Sequence, residues 1–448
     1  MITKAIEDFG GSLDSDDNSS AFRAATQFFA ENKGGTLTVG EGVWRTGPIE
    51  LCSDMTLRLA DGAVVSFIPD PSLYKPVQTR WEGVCCWAMH PCVFVNDAHD
   101  VTIEGNGIFD GNGDFWWNTV IRKRSQVGPV DAIEKELALL NPDYKTQASG
   151  GGGRLTQFLR PPLMQFYECK NIRVSDITLQ NSPFWTFHPV FCDNMLVEHV
   201  KVSNPYTAPN TDGMDIDSCT NVSIKGCHIA VGDDGICIKS GSGPDGIKVN
   251  RPSDTITVFD CIVDNGHGGI VIGSETAGGI HKVRVSHCTF NGTDRGIRIK
   301  TRRGRGGAIS GLYFENLDIH NSLCPIAINM YYRCGSKGTE PELFSLDPMP
   351  VSDDTPSIST VHISKIMADN CRASTGFIVG LPEAPIEDLI IENCVFGADM
   401  KDVSSPSVSE MYAGLPEVHT KSFRVVNAKN PVFENTQIIG PEEPFIFK

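Results

Sequence analysis

NIRVSDITL, from Asn171 to Leu179, is one copy of a nine-residue pattern: one residue, then apolar, any, apolar, any, any, apolar, any, apolar. The pattern begins again at Asn194 (NMLVEHVKV), Asn221 (NVSIKGCHI), Thr255 (TITVFDCIV), Lys282 (KVRVSHCTF), Gly311 (GLYFENLDI), Thr360 (TVHISKIMA) and Asp388 (DLIIENCVF), at intervals of 23, 27, 34, 27, 29, 49 and 28 residues. Two apolar positions spaced by two mark a strand with one buried face, and the following offset of three marks a corner before the next short strand. A unit of this size cannot bury its own apolar face and has to stack on its neighbours. The seventh position reads Ile177, Val200, Cys227, Cys261, Cys288, Leu317, Ile366 and Cys394, an apolar ladder facing one interior. Most intervals leave no room for a crossover helix, which removes a doubly wound sheet. The expected fold is an all-β parallel β-helix.

A solenoid grows by adding coils, so the 448 residues are expected to form one domain over 1–448 rather than several. The composition, 21% charged and 40% hydrophobic, is that of a soluble protein, with no apolar run for a membrane span. The opening MITKAIEDFGG lacks the apolar core and cleavage site of a signal peptide. Fifteen cysteines, four of them in the interior ladder, behave there as small hydrophobes and would risk mispairing in an oxidising compartment. The expected location is therefore cytoplasmic. No cysteine spacing, adjacent Cys85 and Cys86 included, resembles a zinc knuckle, and no metal is expected. The net charge of −17 argues against a nucleic-acid partner.

Asn18 or Ser19 can cap a helix running to about Asn32, with Phe22, Ala25 and Phe29 on one face and Lys33-Gly34-Gly35 ending it. This N-terminal cap, about 1–35, would cover strand edges at the open end of the solenoid. Met55–Leu59 and Val101–Ile103 read as strand cores of early coils. Three insertions interrupt the repeat: 118–160, with a helical stretch Asp131 to Leu140 and the run Gly150 to Gly153; 240–254; and the polar, Pro-rich 333–358. Long insertions in a compact repeat usually serve binding or assembly.

Four motifs fall at one point of the repeat. DGMDID (212–217), DGICIK (234–239), GGIVIG (268–273) and RGIRIK (295–300) superimpose without a gap. Asp212 and Asp234 thus take equivalent places on adjacent coils, about 4.7–4.9 Å apart. Asp233 sits beside Asp234, His267 is its counterpart one coil on, and Arg298 and Lys300 point outward from the next strand. Carboxylates this close cannot all ionise cheaply, so one is expected to hold a proton. One protonated and one ionised carboxylate suit glycoside hydrolysis, with the acid on the leaving oxygen and the base on water. A bidentate Arg and a point-charge Lys suit an anionic sugar.

NTDG (210–213), GDDG (232–235), GHG (266–268) and RIK (298–300) resemble, in order and spacing, the signature of the polygalacturonase family, glycoside hydrolase family 28. DFGGSLDSDDNSSAFRAA and GGTLTVGEGVWRTGPIEL resemble the opening coil of pectin-degrading β-helices, and TRWEG, RPPLMQF, NSPFWTFHP, CIKSGSGPDG and GHGGIVIGSE look most like the bacterial exo-acting branch. The resemblance implies a right-handed parallel β-helix that hydrolyses α-1,4-galacturonosidic bonds with inversion, and no cofactor. It implies Asp233 as general acid, Asp212 and Asp234 as the pair that deprotonates water, His267 as a group tuning the acid, and Arg298 and Lys300 as ligands of the galacturonate carboxylate. Tyr332, beside Tyr331, matches an aromatic position lining the family's cleft, and His188 and Arg80 lie in exo-like motifs that would touch substrate. The expected partner is an oligogalacturonide or another pectin-derived oligosaccharide, imported where the enzyme is cytoplasmic.

Blander readings stand beside these. A single Asp-Gly is usually a turn, and His267 between glycines could simply fill a corner. Asp215 and Asp217 read as supporting groups, Asp217 level with Lys239 and Lys300 in an ion pair. Arg295, Arg298, Lys300, Arg302, Arg303 and Arg305 put six cations within eleven residues, of which the last three read as a solvated turn. Alternatives of function are a rhamnogalacturonan or other decorated-uronide hydrolase, a Ca²⁺-dependent pectate lyase, and a non-catalytic β-helical carbohydrate-binding protein. The GDD and NTD carboxylates argue against the lyase.

Overall fold

A computed structural model describes residues 2–147, 155–334, 340–409 and 420–448. They gather into two compact units: the first comprises 2–81, 85–147 and 155–233, the second 234–334, 340–409 and 420–448 with the short piece Glu82–Val84. Each unit is built of parallel strands stacked coil on coil, and the fold class is the right-handed parallel β-helix.

In unit one, three rows of strands run through the coils. One stacks Gly35–Val39, Met55–Leu59, His99–Gly105, Lys170–Ser175, Asp193–Glu198 and Thr220–Lys225 in parallel. A second contains Gly42–Thr46, Ala63–Phe67, Ile108–Asp110, Thr178–Gln180, Lys201–Ser203 and His228–Ala230. The third contains Ile49–Leu51, Val93–Asn96, Met164–Tyr167, Phe187–Val190 and Met214–Asp217. Register keeps like on like: Leu57, Ile103, Val174, Val197 and Ile224 form one fully buried ladder. Unit two repeats the plan, with Ser253–Phe259, Ile280–Asn291, Ala308–His320, Ser357–Cys371 and Glu387–Glu392 in one row. Its facing row runs from Asp234–Lys239 through Gly268–Gly273, Arg295–Lys300, Cys324–Asn329, Gly376–Val379 and Phe423–Val426.

The corner inferred from the offset of three has a definite backbone. All eight residues that open the pattern lie in the left-handed region, from Asn171 (φ 56°) to Asp388 (φ 51°). So do all eight at the sixth position: Asp176, His199, Gly226, Asp260, His287, Asn316, Lys365 and Asn393. One left-handed residue reverses the alternation of faces, so the inward positions on its two sides are three apart rather than two. Asn, Asp and Gly tolerate this conformation best and dominate the corners. The seventh-position ladder is buried throughout, its four cysteines included.

The N-terminal helix α1 spans Ser19–Glu31 and buries Ala21, Phe22, Ala25 and Phe29. Asn18 is its N-cap residue, yet its side chain bonds elsewhere, accepting from the Ser12 N–H and donating to the Arg45 carbonyl. Asp17 takes over the cap, accepting from the Ser19 N–H at 2.8 Å. The first insertion holds two helices, α2 (Asp114–Lys123) and α3 (Ala132–Leu140), so it begins earlier than expected. Lys123 ties them, 2.6 Å from Asp131 and 3.0 Å from Glu134. The run Gly150 to Gly153 lies outside the described residues. The second insertion forms a short helix α4, Gly243–Val249, and the described part of the third carries a 3₁₀ turn at Pro341–Phe344.

Asn316 tests the corner rule, since its φ is 53° and it is only half-buried. Asn316→Val should cost about 1–3 kcal/mol because a branched Cβ strains this conformation. Asn316→Gly should stay within about 1 kcal/mol of the parent. Thermal and urea melts of both variants check this, and equal stability of the two would contradict it.

Candidate active site

The site of unit two is made by strands whose inward faces are isoleucine ladders. Ile236, Ile270, Ile297 and Ile326 stack in register, as do Ile238, Ile272, Ile299 and Ile328. With alternate residues fixed inward, Arg298 and Lys300 must face outward. Arg298 lies two strands from Asp234, and the strand between them presents Gly268 beside Asp234. A Cβ on Gly268 would sit 3.2 Å from Asp234 Oδ1 and 3.3 Å from Arg298 Cδ. The glycine after His267 therefore leaves room for the guanidinium to cross a strand.

Arg298 Nη1 donates to Asp234 Oδ1 at 2.6 Å, and Lys300 Nζ donates to Oδ2. Burial alone would raise the Asp234 pKa, but Arg298, Lys300, His267 and Lys239, in that order, hold it far below the usual carboxylate range. Burial and Arg298 both depress Lys300, and Asp234 outweighs them, holding its pKa above the ordinary lysine value. Arg295 is pushed down to about 10 by burial and then by Arg298, so it too stays charged at neutral pH. Tyr332 completes the group: its ring centroid lies 5.5 Å from Arg298 Cζ and 5.2 Å from Lys300 Nζ. Tyr331 instead faces Arg303 at 5.4 Å, so the two neighbouring tyrosines are distinguished by their cations. His267 is half-buried, more open to solvent than Asp234, Arg298 or Lys300.

Behind this centre stands a second carboxylate that sequence reasoning missed. Glu275 Oε2 lies 2.9 Å from Lys239 Nζ and Oε1 3.3 Å from Arg305 Nη1, all three side chains being buried. Burial raises its pKa, but Lys239 and then Arg305 win and hold it at about 2. Arg305 also donates to Ser242 Oγ at 3.1 Å and to the Cys334 carbonyl at 3.2 Å. The signal was present in the aligned motifs: Lys239 and Lys300 share one register position with Gly273 between them, and Glu275 follows two residues later. Stacked ammonium groups require a carboxylate nearby.

The basic turn is not solvated, contrary to expectation. Arg302, Arg303 and Arg305 are 5%, 5% and 2% exposed. Arg303 forms a two-pronged pair with Glu383 at 2.6 and 2.9 Å and donates to the carbonyls of Leu343 and Ser345. Arg303 and Arg305 staple insertions to the coils, using their planar forks to meet several acceptors at once.

In unit one, Asp212 is buried at the entrance to strand Met214–Asp217, and Asp233, the last residue of the unit, is half-buried. The ion pair expected for Asp217 forms with Arg80, whose Nη1 lies 2.8 Å from Oδ1 and 2.8 Å from Ser218 Oγ. Arg80 also stacks over Phe191 at 4.3 Å. His188 Nδ1 meets Gln165 Nε2 at 2.9 Å, and its Nε2 lies 3.8 Å from Asp217 Oδ2. Arg80 and His188 are buried, with side-chain exposures of 0% and 1%, and both stand against Asp217. Asp215 is fully buried as well, in keeping with a supporting role.

Fold and site together define a β-helical glycoside hydrolase. The sequence model for Glycosyl hydrolases family 28 matches residues 149–368. A probable polygalacturonase of Vitis vinifera is 28% identical over 400 residues, covering 87% of this chain and 73% of that protein. The exopolygalacturonase of Thermotoga maritima superimposes with a TM-score of 0.76 at 29% identity, over 89% of this chain and 87% of that one. The family 28 exopolygalacturonase of Yersinia enterocolitica shares the fold with a TM-score of 0.71 at 18% identity, over 99% and 76%. The chain belongs to glycosyl hydrolases family 28.

The Glu275 pairs give a pH signature. Its folded pKa, about 2, lies below the unfolded value of about 4.3, so its contribution is complete above that value and fades as pH falls toward 2. Glu275→Gln should lower stability by about 3–5 kcal/mol at neutral pH by stranding Lys239 and Arg305. The gap from wild type should narrow below about pH 4.5 in denaturant melts run across that window. A gap independent of pH would overturn the assignment.

Proposed function

We propose that this protein hydrolyses α-1,4 bonds between galacturonic acid residues, acting on oligogalacturonides and pectin fragments from the non-reducing end and inverting the anomeric centre. The observation that carries the reading is the buried Asp234 carboxylate held ionised between Arg298 and Lys300, with Tyr332 against both cations. A carboxylate so held cannot be the acid, and it serves with Asp212 as the base that takes a proton from water. The acid is the adjacent Asp233, which keeps the partial exposure needed to reach a leaving oxygen and be reprotonated. His267 tunes that acid.

The ion pairs weaken Asp234 as a base while no substrate is bound. A uronate carboxylate drawing on Arg298 and Lys300 shares their charge and returns basicity to Asp234. Substrate recognition and activation of water are thereby coupled through the same two cations. A neutral sugar at that place would leave the base weak, which favours an acidic substrate over a neutral one.

The exo mode is supported by the similarity to the Thermotoga maritima exopolygalacturonase and by α4. That helix starts four residues after Lys239, at Gly243, and is anchored through Ser242 to Arg305. A cytoplasmic site of action, on imported oligomers, is supported by the buried cysteines, eleven of which lie in the interior. Fractionation of native cells tests the location.

Product analysis on defined oligogalacturonides and rhamnogalacturonan fragments tests the activity. Single galacturonate should be released from digalacturonate and trigalacturonate, with the inverted anomer appearing first by NMR. Random shortening of polygalacturonate would sink the exo mode, and an unsaturated, ultraviolet-absorbing product would sink hydrolysis. Asp233→Asn should lower kcat by about 10²–10⁴-fold with substrate binding retained. Deleting α4 should shift products from monomer toward longer fragments.

A further inference from the structure

Arg160 lies buried in unit one, outside every motif given a role above. Its Nη1 donates to the carbonyls of Pro183 at 2.7 Å and Pro209 at 2.9 Å, and its Nη2 donates to Asn210 Oδ1 at 2.9 Å. One guanidinium thus joins the loop that follows Gln180 to the loop that leads into Asp212. Its orientation is fixed from two further sides. The guanidinium carbon lies 5.0 Å from the ring of Phe184, which is stacked on Trp81 at 4.9 Å and Trp185 at 5.2 Å. Trp81 Nε1 in turn donates to the Arg160 carbonyl at 3.1 Å.

The clamped loops both reach Asp212. Asn210, two residues before it, stands in the left-handed region at φ 56°. Asn204 Nδ2 donates to the Thr211 carbonyl at 3.3 Å and to Thr186 Oγ1 at 2.8 Å, and the Thr186 N–H donates to the Asp212 carbonyl at 2.9 Å. Asp212 is therefore held from behind by the first loop and from its N-terminal side by the second, and Arg160 bonds both. A buried guanidinium is expensive to desolvate, and these three acceptors are neutral, so ion pairing with them does not explain its place. Its planar fork supplies three donors in fixed directions, which an ammonium cannot.

We propose that Arg160 is a positioning residue that sets the direction of the Asp212 carboxylate by locking the two loops together. The proposal rests on the reading of Asp212 as one of the bases. Small displacements of a reacting group are expensive, a shift of about 1 Å costing about 10²-fold in rate.

The test compares Arg160→Met, Arg160→Lys and Asn210→Ala with wild type on trigalacturonate, with hydrogen exchange at the amides of residues 211–213. Arg160→Met should keep a cooperative melt and a KM within about threefold, lose about 100-fold in kcat, and exchange faster at those amides. Arg160→Lys should fall between the two, and Asn210→Ala, which removes the Arg160 contact at a left-handed residue, should lose about tenfold in kcat. A folded Arg160→Met with kcat within about twofold of wild type, or with its loss confined to KM, overturns the proposal. Where Arg160→Met does not fold, unchanged kcat in Asn210→Ala overturns it instead. Should Asp212→Asn retain full turnover, or wild type leave trigalacturonate intact, the functional reading fails on its own. Faster exchange at 211–213 would then still support the clamp, and unchanged exchange would overturn it.

Discussion

The structure depends on one backbone constraint, the left-handed residue at the corners of its repeating coils. Strands alternate faces, and a chain that must turn while keeping apolar residues inward has to break the alternation at a defined residue. Each non-glycine corner such as His199, His287 or Lys365 carries a cost of about 1–2 kcal/mol. Stacking offsets it, because each coil buries its ladder against the next and no coil is stable alone. Once corners are fixed, the place of a residue within its coil fixes its face and its neighbours. The outward position of Arg298 and the gap at Gly268 are consequences of this arrangement rather than of local loop geometry.

A second layer of order is electrostatic. Arg295, Arg298, Lys300, Arg302, Arg303 and Arg305 are all buried, in a chain whose net charge is −17. Burying ions costs several kcal/mol each after relaxation, so every one needs an acceptor with good geometry. Asp234, Glu275, Glu383 and Asp294 supply carboxylates, and the carbonyls of Leu343, Ser345, Cys334 and Arg303 supply further acceptors. The outcome is a division of labour along one short stretch. Arg298 and Lys300 face Asp234, while Arg303 and Arg305 hold the segments at Pro341–Phe344 and Ser242.

This division explains what the sequence disclosed and what it withheld. The ladders and the assembly of Asp234, Arg298 and Lys300 follow from period-two patterning, and the α1 cap from a helical stripe, both local and therefore readable. Tyr332 was separable from Tyr331 only once the ring geometry was known. Glu275, Arg80 and His188 have partners 23 to 138 residues away, brought near by the stacking of coils and by loops outside the repeat. A loop residue carries no periodic mark of burial, so the basic turn looked solvated. The helix α2 was missed because its apolar residues, Trp116 and Trp117, anchor it to other loops rather than tracing a clean stripe.

The same contrast bears on how such an enzyme sets its specificity. Groups that the solenoid positions are hard to move: shifting Arg298 by one place would turn it into the isoleucine ladder and bury a charge in the core. Groups that loops position are held by single staples, such as Arg160 on the Asp212 approach or Arg305 on Ser242, each a few hydrogen bonds strong. On the proposed reading, the part of the reaction carried by Asp234 and the recognition of the uronate carboxylate are thereby tied to the rigid part of the molecule. The direction of Asp212 and the proposed chain-end preference are tied to the stapled part, where loops can differ while the register beneath them is kept. A β-helix separates the two because its long loops leave at the ends of strands, away from the corners and outside the register that stacking fixes.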